Sequence, residues 1–144
     1  MTRRLCVSLT ALLCLLAMAG CRVTTDFNAE EFSKAQKIVV TDGGGTERAV
    51  LTEETDIEAF VEAVDVSRWR MAEKPADLTP SGSFTLWQEE TITALLGEKT
   101  AETREICTLQ CYEDGDYLTI VTGVVDLTFS IPKEKAAYLR SLCA

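Results

Sequence analysis

Residues 104–131 constrain the fold more than any other part of the chain. Cys107, Leu109 and Cys111 share one face of a strictly alternating stretch. Val125, Leu127, Phe129 and Ile131 share one face of another, with Asp126, Thr128 and Ser130 on its opposite side. A period of two marks a strand with one face on a core. After the first stretch comes "EDGD" (113–116), whose Asp-Gly pair signals a tight hairpin. Strands joined by so short a turn must pair antiparallel, because parallel neighbours need a crossover of a dozen or more residues. The pattern predicts strands over 104–112, 117–122 and 124–131, preceded by two more over 84–88 and 91–96. That is an antiparallel meander.

Upstream, "KIVVT" (37–41) and residues 48–52 read as a hairpin around the glycine-rich "DGGGTE" (42–47). Thr55–Val64 reads as a helix: Ile57, Phe60, Val61 and Val64 fall on one face, and Thr55 with Glu58 makes a capping box. Residues 71–83 hold Pro75 and Pro80, two of the three prolines, and read as a loop. Pro132 opens a final helix at its first turn, with Tyr138, Leu139, Leu142 and Cys143 as its apolar stripe. The expected fold is α+β: an N-terminal hairpin and helix, an antiparallel β-meander, and a C-terminal helix packed on the sheet. Residues 36–144 make the single domain.

The first twenty residues have a different logic. Arg3 and Arg4 precede an apolar run from Leu5 to Ala19, the two parts of a secretory signal peptide. The run falls short of the roughly 20 apolar residues that a spanning helix needs. It ends in Met18-Ala19-Gly20-Cys21, which resembles the lipobox of bacterial lipoproteins, with Met18 where that family usually has leucine. The resemblance implies that residues 1–20 are removed as a signal peptide and that Cys21 carries a diacylglyceryl group. Its partner would then be the lipid bilayer, and its location the extracytoplasmic face of the cell membrane. The alternatives are an ordinary cleaved signal with an incidental cysteine, or a short uncleaved anchor. Residues 21–35 form the lipidated N-terminus and tether, in which "DFNAEEFSKA" has the makings of a short helix.

Charge narrows the partners. The 144 residues carry 14 basic and 23 acidic side chains, a net charge of −9. Losing Arg3 and Arg4 with the leader leaves 12 basic against 23 acidic groups, or −11. Nucleic acid rewards a basic surface, so it is excluded as a partner class. Of the six cysteines, Cys6 and Cys14 lie in the leader and Cys21 is the lipid site, which leaves Cys107, Cys111 and Cys143. Cys107 and Cys111, four apart on a strand, sit about 13 Å apart, too far for a bridge. Cys143 bridging either one, or all three as small buried hydrophobes, are the readings left open.

A second resemblance covers residues 36–143. The "PSGSF" lead into the sheet, the "DGDYLTI" hairpin and the "FSIPKEKAAYL" ending look like small uncharacterised lipoprotein domains of Gram-positive bacteria. The order of elements is also similar to the TATA-binding-protein-like fold. Neither implies an activity, and a fold alone does not supply one.

The chain has no histidine, which removes Ser-His-Asp and Cys-His catalysis and the commonest metal ligand. The three cysteines lack zinc-site spacing. Glu113, Asp114 and Asp116 lie close together, but turns favour acidic residues and the spacing is not an EF-hand. "SIPK" (Ser130–Lys133) fits the Ser-x-x-Lys pattern of penicillin-binding proteins and β-lactamases, yet the partner motifs are missing. No metal or cofactor is expected, and no enzymatic activity. The one local oddity is "SRWRMAEKP" (67–75), where Arg68, Arg70 and Lys74 surround Trp69 in an acidic chain. Tryptophan and arginine dominate binding hot spots. These four residues are the candidate site for an envelope or secreted protein partner, and the chain reads as a non-enzymatic interaction module. The plainer reading packs Trp69 under the sheet edge and balances the arginines with nearby acids. A small-molecule or ion-binding lipoprotein is the alternative function, and a Ser/Lys hydrolase the third.

Overall fold

The computed structural model describes residues 29–94 and 97–144. The leader, the lipobox with Cys21 and the tether up to Asn28 lie outside the described residues. A short helix, α1 (Ala29–Ser33), leads into strands β1 (Lys37–Asp42) and β2 (Glu47–Leu51). The Asp42 carboxylate makes their turn: it accepts the Gly44 and Thr46 N–H groups, both at 2.9 Å, and pairs with Arg48 at 2.8 Å. Gly45 supplies the left-handed residue at φ 84°.

Helix α2 (Glu54–Val64) buries Ile57, Phe60 and Val64, the face its spacing predicts. Its capping box does not form. Glu53 is the N-cap, without a side-chain capping bond, and its carbonyl accepts the Asp56 and Ile57 N–H groups. The helix therefore begins one residue early and places Thr55 inside the first turn, where Glu54 and Asp56 face the positive end of the helix dipole.

The expected loop at 71–83 is shorter than the prolines suggest. Strand β3 (Arg70–Met71) precedes it, and strand β4 (Pro80–Thr93) takes over at Pro80. A proline without an N–H is tolerated as the first residue of a strand, and the register shift between Pro80 and Gly82 absorbs it. The strands expected at 84–88 and 91–96 are one continuous β4. Polar Gln88–Glu90 is no turn, because this half of β4 and of β5 (Lys99–Tyr112) runs out beyond the other strands as a two-stranded arm. The reversal comes later, at Gly97 (φ 79°), whose N–H reaches the Ala94 carbonyl at 2.8 Å.

Strands β6 (Tyr117–Val121) and β7 (Asp126–Ser130) complete a seven-stranded sheet in the order β2-β1-β4-β5-β6-β7-β3, every pair antiparallel. The final helix, α3 (Lys133–Cys143), starts from Pro132 as N-cap and packs against β1, β4 and β5. Its stripe is rotated from the expected one: Ala136, Leu139 and Cys143 are buried, while Tyr138 is exposed. The molecule is α+β, with its helices on one face of the sheet around Ile38, Phe84, Leu86, Leu109, Leu118 and Ile120. Among the described residues no helix is long and apolar enough to cross a membrane.

The opposite face is not simply wet. Thr119 and Thr128 are buried there, and their hydroxyls form a chain with Tyr112: Tyr112 Oη to Thr119 Oγ1 at 2.6 Å, then Thr119 Oγ1 to Thr128 Oγ1 at 2.9 Å. Thr128, which alternation sets on the face opposite the apolar stripe, is thus an interior hydrogen-bonding group.

Candidate partner-binding cleft

The segment that carries the candidate site is held by a change of backbone hand. Asp65 caps α2 in the left-handed region at φ 46° and turns the chain into a 3-10 turn, Val66–Arg68. Trp69 follows in extended conformation and fixes what comes next. Its indole N–H donates to the Val64 carbonyl at 3.0 Å, and its ring lies 5.7 Å from Phe32 and 5.5 Å from Phe129. Trp69 is half-buried against the core. Anchored this way, Arg70 and Met71 pair with Ser130 and Phe129 of β7 as the last strand of the sheet.

That pairing opens a cleft of about 640 Å3 between the 67–70 segment and the start of α3. Arg68, Trp69 and Arg70 line one wall; Ser130, Ile131, Pro132 and Glu134 line the other. Arg68 Nη1 bridges the two walls to Glu134 Oε1 at 3.0 Å. Both partners are more than half exposed, at 53% and 62%, so the bridge contributes little to stability and exchanges readily. The Glu134 carboxyl is held below the usual carboxylate range, first by its own backbone N–H and then by Arg68. A carboxylate thus already sits at the helix start, where free N–H groups and the dipole favour negative charge. Arg70 is exposed and takes part in none of the ion pairs among the described residues. A second groove, between α2 and α3, adjoins the first at Ser67 and is lined by Ala59, Val61, Val66 and Lys135.

The structure brings together three of the four sequence-derived residues. Lys74 lies elsewhere, its Nζ 5.3 Å from the centre of the Tyr112 ring. The wall from β7 and α3 escaped sequence reasoning: Arg68 and Glu134 are 66 residues apart, and nothing local announces their meeting. Trp87, which alternation places in the core, is half-buried outside it, beside Gln36 and Thr103. Ser130 lines the cleft, but Lys133 is exposed and not part of the lining, and no hydrogen bond joins them among the described residues. Among the described residues no group of three or more acidic or cysteine side chains is gathered to hold a metal ion.

The three remaining cysteines are free thiols and all are buried. Burial pushes the Cys107 thiol up to about 12, with Glu105 adding to the shift.

No family model matches the chain, and no curated protein matches it. A solved structure described as a thioesterase-like protein from Clostridium sporogenes is similar at 12% identity and a TM-score of 0.44, over 75% of this chain and 93% of that one. A likeness that distant carries no argument about chemistry.

Proposed function

We propose that this chain is a non-enzymatic interaction module, anchored by an acylated Cys21 to the extracytoplasmic face of a bacterial membrane, whose cleft holds an anionic segment of an envelope or secreted protein. One observation carries the reading. In a chain with 23 acidic and 14 basic side chains, two arginines flank a half-buried tryptophan at the mouth of a cleft that also contains a helix start. Arginine presents a planar fork suited to carboxylates, and a fixed aromatic wall excludes water beside it. The Arg68–Glu134 bridge pairs one cleft arginine with a carboxylate of the chain itself, and Arg70 is left for an incoming one.

The test is photocross-linking on intact cells, with the reactive group at exposed Ser67 so that the packing of Trp69 is left alone. One dominant protein adduct, lost several-fold in Arg70→Glu, supports the module. Only self or background adducts remove the protein partner. In that case a small anionic ligand, the second reading, is measured by titrating the same cleft with carboxylates.

A further inference from the structure

We propose that Cys111 and Cys143 are an oxidisable pair, which a low-molecular-weight disulfide converts into an intramolecular bridge stapling α3 to β5.

The placement follows from one glycine. Gly82 of β4 is the register partner of Cys111 in β5. A Cβ at position 82 would meet the Cβ and Sγ of Cys143, and the Thr41 carbonyl oxygen, at 2.5 Å. Glycine is what lets the last residue of α3 settle onto the sheet here, so Cys143 comes to rest beside the strand pair that presents Cys111. Both side chains are almost wholly enclosed, at 3% and 2% exposure. Cys107 is also buried on the core side of the sheet, but it pairs with Leu86, four residues further along β4 than Gly82. At about 3.3 Å per residue that is roughly 13 Å along the strand, beyond the span of a disulfide. Of the pairings the sequence leaves open, the geometry selects one.

The two thiols are also unequal. Packed against each other, the pair holds the Cys111 proton tighter and the Cys143 proton looser than in a free thiol. Thiolate is the attacking form, so Cys143 is the sulfur that reacts first. It is also the one that opening of a helix end exposes, because such ends open at low free-energy cost. The Cys143 thiolate attacks one sulfur of the incoming disulfide RSSR, forming a mixed disulfide and releasing RS−. That thiolate takes up the Cys111 proton. The Cys111 sulfur then attacks the Cys143 sulfur and expels the second RS−, which is protonated by solvent with the proton Cys143 gave up. The two cysteine thiols are oxidised and RSSR is reduced to two RSH.

The experiment uses the full chain, reduced and then incubated with oxidised glutathione, followed by alkylation in denaturant and non-reducing peptide mapping. The expected product is a Cys111–Cys143 linked peptide with Cys107 alkylated, and an urea midpoint that rises and returns on reduction. A stable glutathione adduct on Cys143, a link from Cys111 or Cys143 to any other cysteine, or alkylation of Cys107, Cys111 and Cys143 alike overturns the proposal. The map is read on the unsubstituted protein, so it decides even where a serine variant fails to fold. Cys107→Ser retains the link and the midpoint shift.

Discussion

At the scale of single residues, a hydroxyl and two tryptophans show what alternation along a strand leaves out. Thr119 stands between the Tyr112 and Thr128 hydroxyls, and all three are buried. Thr119→Val keeps the shape but leaves both neighbours without that partner, in a place water does not reach. The expected cost is about 1–3 kcal/mol, read from the midpoint of urea unfolding. A change within 0.5 kcal/mol would mean that the chain of hydroxyls adds nothing net. The period of two sorts the faces of Leu127, Phe129 and Ile131, but Val125 lies before the strand and is exposed. Nor can the pattern say that the polar face of this strand is covered as well. Trp69 and Trp87 carry the same lesson in reverse. The charged neighbours of Trp69 suggest a binding residue, while the plainer reading packs its ring under the sheet edge, where its contacts lie; Trp87, expected in the core, lies outside it. The ring contacts of Trp69 with Phe32 and Phe129 come from segments far away in the chain, so no local window contains them.

At the scale of elements, what was legible is what local chemistry decides. The Asp42 turn, the buried face of α2 and the Asp-Gly hairpin each follow from residues within a few positions of one another. The candidate site is the opposite case. Its arginines and tryptophan stand out as a composition, but β3 is two residues long and exists only because β7 is there to pair with it. A segment so short has no period of its own to read. The sequence splits β4 into two strands because its polar middle resembles a break, and it starts β5 only at residue 104. The arm formed by the outer halves of the two strands is therefore not legible there. It is one ribbon whose outer residues pair only with each other, from Glu89 with Thr103 to Thr93 with Lys99. Those residues contribute nothing to the buried cluster. Replacing residues 91–101 with an Asn-Gly turn, so that Glu90 and Glu102 close the hairpin, is therefore expected to leave stability within about 0.5 kcal/mol of the parent by urea unfolding. A larger loss would show that the arm braces the sheet.

At the scale of the whole molecule, the proposed location requires something to hold an acidic domain at a surface. With the leader removed the side chains sum to −11, and a bilayer with anionic headgroups repels such a chain, so charge cannot be the anchor. Among the described residues no helix offers a span either. The proposed anchor is chemical: a diacylated Cys21. At about 0.8 kcal/mol per buried methylene, one acyl chain holds marginally and two hold firmly. Cys21→Ser removes the attachment without touching a described residue, so the folded domain is unaffected and only its partition changes. The parent chain is expected in the detergent phase of a phase-separation assay and the variant in the aqueous phase or the medium, with the two unfolding at the same urea concentration. A parent chain found in the aqueous phase would sink the anchor while leaving the cleft and its arginines untouched. A variant that stayed with the membrane would put the attachment elsewhere, in the leader or in a bound partner. Cross-linking at Ser67 in that same variant then separates the two, because only a partner gives a protein adduct.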